Sequence, residues 1–243
     1  MGNQQLYDLL NDLGITNQEL QLGLSLFLGD GCFARDNVKE ESYIVSTSSI
    51  NKDYLEYKLS LLSNIKSSGV KKSENNGYKK GIIYKMSFFK HKAFDKIYNM
   101  PLEMKLDLLD ELGFALWMYD DGSLHKKKLF YNLNTHAFSV EDQLLMLEKL
   151  KKFNIEGKIL KEKKKDGRVF FYITFSKYSG CDCISTIMSK VKIDSMKYKL
   201  WSSTTIQQWS TFQEEWKSKG VDDFTKFKSF MVKRFKESTQ DIV

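Results

Sequence analysis

The sequence predicts an α+β chain made of two copies of one unit, ordered helix, two strands, helix, two strands, helix, and related by a pseudo-twofold axis. Three observations predict it. A single proline, Pro101, falls near the middle of 243 residues. An amphipathic stretch ends on Asp30-Gly31 before it and another on Asp121-Gly122 after it, 91 residues apart. Further landmarks then recur at nearly the same spacing: Thr47 and Thr135 are separated by 88, Gly77 and Gly167 by 90, and Lys90 and Lys177 by 87. A repeat of this length is too long for a solenoid and implies two packed copies of one supersecondary unit.

Each element has its own reason. The first helix of each copy is amphipathic and stops at the Asp-Gly pair. Alternating aromatic and polar residues then lead to Ser46-Thr47 and to Asn134-Thr135, and helical patterns follow from Lys52 to Ile65 and from Val140 to Phe153. Asn76-Gly77 and Asp166-Gly167 are dipeptides that take the positive φ angles of a two-residue hairpin turn. Strand-like runs from Ile82 to Phe88 and from Val169 to Phe175 come next, and a closing helix follows Lys90-His91 in one copy and Lys177-Tyr178 in the other. Proline suits a linker or helix start but not an element interior, so the units are expected over 1–100 and 101–200. Residues 201–243 lie outside the repeat; Trp209, Phe212, Trp216, Phe224, Phe227, Met231 and Phe235 recur at helical spacing there, as expected of a helical extension covering an apolar flank.

Composition bounds the function. With 42% apolar, 14% aromatic and 28% charged residues the chain is globular rather than disordered. A net charge of +7 favours a polyanionic partner, and the charge is unevenly placed, since residues 1–34 contain no Lys or Arg. Cys32, Cys181 and Cys183 form no paired framework and lack zinc spacing, which points to a reducing compartment, the cytoplasm, or an organellar matrix if the gene is organellar. No run approaches 18 apolar residues, so no membrane partner is expected.

In the second hairpin, Val169, Phe171, Ile173 and Phe175 alternate with Arg168, Phe170, Tyr172 and Thr174. The first set should pack on helices; the second, continued by Lys161 and Lys163, should lie open, as should Lys85 and Ser87 in the first copy. One such face is ordinarily solvated. Two faces flanking a twofold axis would match the symmetry of duplex DNA. Arg35, His125 and Lys126 join the candidate contacts.

Asp30 and Asp121 stand at helix C-termini, where the helix dipole already places negative charge. An Asp-Gly pair there is commonly only a stop signal, but two in equivalent positions need a joint explanation. Gly23, Ser25, Gly29, Gly113 and Ala115 are small enough for the two helices to pack closely at the axis, which would make the acids neighbours. Two charges about 4 Å apart repel by about 4 kcal/mol at an effective dielectric of 20. Divalent cations relieve that repulsion, and an oxygen-only ligand set suits Mg2+, which keeps waters and shares positions with phosphate oxygens. Phosphodiester hydrolysis is the corresponding chemistry.

Gly23 to Gly31, GLSLFLGDG, and Phe114 to Gly122, FALWMYDDG, resemble the signature helices of the LAGLIDADG homing endonucleases, in the single-chain branch with two motifs. YNLNTHAF from Tyr131, FKHKAF from Phe89 and MKYKL from Met196 resemble further stretches of the branch typified by yeast mitochondrial intron endonucleases. The resemblance spans about residues 5–200. It implies two four-stranded antiparallel sheets forming a DNA-binding saddle, and Mg2+-dependent double-strand cleavage of a long specific target leaving short 3′ overhangs. It places the acidic metal ligands on Asp30 and Asp121, with backbone carbonyls of Gly29 and Asp120 as further contributors. It places a catalytic basic residue on Lys199, while the first copy has Tyr98-Asn99-Met100 where a lysine is common, leaving Lys96 as the nearby candidate. Gly31 and Gly122 are expected in the left-handed conformation that ends a helix. The chain is expected to act as a monomer. The alternatives are an intron RNA maturase and a non-cleaving DNA-binding regulator of the same fold.

Overall fold

A computed structural model describes residues 3–35, 43–75, 81–125, 130–176 and 178–200. The expectations for Asn76-Gly77, Lys126 and the extension over 201–243 lie outside the described residues. The first copy runs α1 (Asn3–Leu13), α2 (Asn17–Leu28), β1 (Cys32–Arg35), β2 (Tyr43–Ser49), α3 (Lys52–Ser60), β3 (Lys71–Asn75), β4 (Gly81–Phe88) and α4 (Lys92–Asn99). The second runs α5 (Leu102–Leu108), α6 (Glu111–Asp121), β5 (Gly122–His125), β6 (Phe130–Leu133), α7 (Val140–Leu150), β7 (Lys158–Lys163), β8 (Val169–Phe175) and α8 (Tyr178–Ser189), and ends on a 3-10 segment, Asp194–Lys199. Each copy forms an antiparallel four-stranded sheet, ordered β1-β2-β4-β3 and β5-β6-β8-β7. The identical order is the duplication in three dimensions. No helix among the described residues is long and apolar enough to cross a membrane.

The motif helices α2 and α6 pack against each other at the centre. Leu20, Leu22, Leu24 and Leu26 of α2 and Phe114, Leu116 and Trp117 of α6 are fully or almost fully buried, in one apolar core that also takes in both sheets. Their starts are fastened together by polar bonds that need no charge: Gln21 Oε1 accepts from the Asp110 N–H at 2.9 Å, and Gln21 Nε2 donates to Leu108 O at 3.0 Å. Thr16 and Glu19 form a reciprocal capping box on α2, while Glu19 Oε1 also accepts the backbone N–H groups of Ser63, Asn64 and Ile65 and so holds the chain leaving α3. His91 is structural, its Nδ1 capping α4 at the Ala93 N–H.

Gly31 and Gly122 are not left-handed. Neither has a positive φ, and Gly122 sits at φ −76. Their requirement is space: a Cβ on Gly31 would lie 2.3 Å from Leu26 O, and one on Gly122 2.3 Å from Met118 O, so in both copies the chain folds back over its own helix end.

The β7–β8 connection also differs from the expected two-residue turn. Lys164 N–H donates to Arg168 O and Gly167, at φ +85, donates to Lys164 O, closing a three-residue loop of Lys165, Asp166 and Gly167. One extra loop residue shifts the register by one, which moves side chains to the opposite face. Lys161 therefore pairs with Phe171 and Lys163 with Val169, while Tyr172 faces Leu160 and Phe170 faces Glu162.

Candidate functional site

At the C-terminal ends of α2 and α6 the two copies meet. Gly29 closes α2 and Asp120 precedes the last residue of α6, so close that a Cβ on Gly29 would lie 2.9 Å from Asp120 Cβ. Asp30 and Asp121 follow these positions, Asp121 half-buried and Asp30 more open at the surface. Burial pushes the Asp30 carboxyl up, with the charge of Asp120 adding to it and those of Lys58 and Lys199 opposing it. Burial likewise raises Asp121, to about 7, and the charges of Asp30 and then Asp120 raise it further. The charge of Asp30 thus reaches Asp121 across the axis.

Lys199 arrives from the far end of the second copy. Its segment is held on the first copy, where Ser195 N–H donates to Asp53 Oδ2 at 3.0 Å and Asn51 Nδ2 donates to Met196 Sδ at 3.1 Å, and on its own copy by Tyr131 OH, which donates to Lys199 O at 2.8 Å. Lys199 Nζ donates to Tyr119 O and, at 3.3 Å, to Asp120 O, the last carbonyls of α6. Burial lowers its pKa, opposed by the charges of Asp120, Asp30 and Asp121. It shares with Asp30, Ser48, Asn51 and Tyr198 a cavity of about 290 Å³.

A second cation was not foreseen. Lys58, fully buried on α3, donates to both carboxylate oxygens of Asp120 at 2.8 and 2.9 Å, and Tyr54 OH donates to Asp120 Oδ1 at 2.6 Å. Lys58 and Lys199, not Lys96, are the cations acting on Asp30 and Asp121. The sequence does carry a signal for Lys58, which occupies the same helical stripe as the buried Tyr54 and Leu55.

The candidate DNA contacts divide by face. Lys85 is exposed and Ser87 half-buried; the register joins Lys85 to Lys71 and Ser48, and Ser87 to Ser46, on the open side of the first sheet. On the second sheet Tyr172 is open, His125 is exposed and stacked on Phe130 at 4.8 Å, and His136, which sequence reasoning passed over, packs on Phe170 and Tyr172 at 5.2 and 5.9 Å. Arg168 is exposed on the loop and bound to Asp166 at 2.6 Å. Four expectations are corrected or displaced. Lys161 and Lys163 share the face of Phe171 and Val169, because of the three-residue loop. Thr174 is on the open-face phase but buried, its hydroxyl donating to Tyr131 O at 3.3 Å. Arg35 is on the side of Phe33, which packs on the helices, and donates to Tyr43 OH at 3.2 and 3.1 Å.

Two carboxylates that repel each other beside helix-end carbonyls are a donor set that fits a hard divalent cation. Among the described residues no group of three or more His, Cys, Asp or Glu converges to hold an ion, so the remaining oxygens would come from backbone, water and phosphate. Asp30 and Asp121 would hold the ions, with the carbonyls of Gly29 and Asp120 as the backbone donors expected beside them.

Known proteins resemble this chain in sequence and in fold. Residues 20–182 match the model of the LAGLIDADG DNA endonuclease family. The probable intron-encoded DNA endonuclease 3 of Mycosarcoma maydis is 29% identical over 131 residues, covering 48% of this chain and 92% of that protein. The structure of the homing endonuclease I-WcaI bound to its DNA recognition sequence superposes with a TM-score of 0.60 and 22% identity, over 76% of this chain and 87% of that one. With a family match across both motif helices and both sheets, the chain belongs to the LAGLIDADG DNA endonuclease family, in the single-chain branch that carries two motifs.

Proposed function

We propose that the protein is a site-specific homing endonuclease that cuts both strands of a long DNA target, with Mg2+ held by Asp30 and Asp121. The observation that supports this reading is the acid pair at the junction of α2 and α6, where the charge of Asp30 raises the proton affinity of the half-buried Asp121. Mg2+ at such a pair supplies an activated water and neutralises the phosphodiester. The chain's own residues do the rest. The open sheet faces, through Lys85, Ser87, His125 and Tyr172, hold the duplex, and Lys199 brings a cation to the cavity that also contains Asp30. The branch's short 3′ overhangs follow if each acid serves one strand across the minor groove. The test is cleavage of intronless host DNA spanning candidate insertion sites, in Mg2+. Asp30→Asn and Asp121→Asn should each abolish double-strand cleavage while leaving DNA affinity within about twofold, since base and phosphate contacts elsewhere carry binding. Full cleavage by both variants would refute the assignment.

A further inference from the structure

We propose that Lys58 is a positioning residue that withholds the Asp120 carboxylate from the divalent-ion site, so that Asp121 is the one acid of the adjacent pair offered to metal. The inference rests on the metal reading above and deepens it. The two copies differ at this point: α2 is followed by Gly29-Asp30, with one carboxylate, whereas α6 ends Asp120-Asp121, with two. Asp120 acts on both Asp30 and Asp121, so as a second free carboxylate it would compete for any ion at the axis.

The structure removes that competitor. Both oxygens of Asp120 are bonded to Lys58 Nζ, one of them also accepts from Tyr54 OH, and the side chains of the ion pair are 0% and 2% exposed. The ammonium also lies 4.5 Å from the centre of the Tyr54 ring. The clamp crosses between copies, from α3 of the first to α6 of the second. At the spacing of the two threonines, the second copy has Met146 in the place of Lys58, buried and apolar, opposite a motif helix that has no second acid to hold. As a source of stability the pair is a weak device, because a buried ion pair gains little over a well-packed apolar pair. Its effect is to decide which carboxylate is free, and by pointing the Asp120 side chain into α3 it leaves the Asp120 carbonyl at the helix end, where Lys199 now meets it.

Mn2+ alone, titrated into the metal-free full chain and read by electron paramagnetic resonance, tests this without a DNA target. Lys58→Met frees Asp120 beside Asp30 and Asp121, and should bind Mn2+ roughly tenfold more tightly or take an additional ion, because affinity follows the number of charged oxygen ligands. Removing the freed carboxylate in Lys58→Met/Asp120→Asn should return binding to within about twofold of the native chain, and Asp121→Asn should lose at least about tenfold. Native-like Mn2+ binding by Lys58→Met overturns the proposal, as does a loss in Asp120→Asn as large as in Asp121→Asn. If Lys58→Met does not fold, the Asp120→Asn and double variants still decide. A native chain that binds Mn2+ no better than Asp30→Asn/Asp121→Asn would overturn the metal reading itself, and this inference with it.

Discussion

Asp121 is raised to about 7 first by burial and then by Asp30 and Asp120, from an ordinary value of 3.8. Between about 4 and about 7 the folded, metal-free chain keeps a proton that the unfolded chain has released, so this group makes stability fall as pH rises through that window and level off above it. A cation bound there would take the place of that proton, so its binding would be favoured at high pH. The melting temperature should therefore rise more on adding Mg2+ at pH 8 than at pH 5.5, and Asp121→Asn should flatten the difference; equal shifts at both pH values in the native chain would count against it. These two acids stood out in the sequence because each opens an Asp-Gly pair in a repeated chain. Lys58 was not, because in KDYLEYKLS a lysine among charged neighbours reads as solvated, and only its phase with Tyr54 and Leu55 turns it inward. Gly31 and Gly122 were legible as necessary but for the wrong reason, since crowding by a carbonyl leaves no trace in sequence.

The strands show where legibility stops at the level of elements. Alternation correctly separated Ile173 and Phe175, both buried, from Tyr172 on the other face. It could not set the pairing of β7, because Lys165-Asp166-Gly167 and Asp166-Gly167 are both plausible loops around the same glycine, and they differ by one residue of register. The consequence is measurable by DNA affinity across a salt series. Lys85, on the open face with Lys71, should on replacement by Ala flatten the slope of log affinity against log salt by about 0.9 if it neutralises one phosphate. Lys161→Ala and Lys163→Ala, on the second sheet but on the face away from Tyr172, should leave the slope unchanged; a change as large as that of Lys85→Ala would mean the DNA reaches both faces of the second sheet.

Across the whole molecule, two sheets of identical strand order surround an axis at which the copies are chemically unequal. The second copy sends Lys199 to the acids. In the first, the stretch ahead of Pro101, Tyr98-Asn99-Met100, carries no cation and is already engaged: Tyr98 stacks on Tyr43 at 4.0 Å, and Met100 is 5% exposed. Lys105, just beyond the linker, is buried over the Phe27 ring at 3.5 Å and donates to Tyr98 O and Met100 O, so it is committed to the linker. Lys58 is committed to Asp120. The two phosphodiesters would thus meet unequal positive charge, and the two strands should be cut at different rates. On a supercoiled plasmid carrying the target, nicked circles should accumulate before linear product, with the same strand cut first in every molecule. Lys199→Met should slow that first cut by roughly a hundredfold, as expected for loss of one positioned cation at a developing charge, and should change the second cut much less. Linear product forming with no nicked intermediate, or equal slowing of both strands, would show that the site treats its two halves alike despite their different residues.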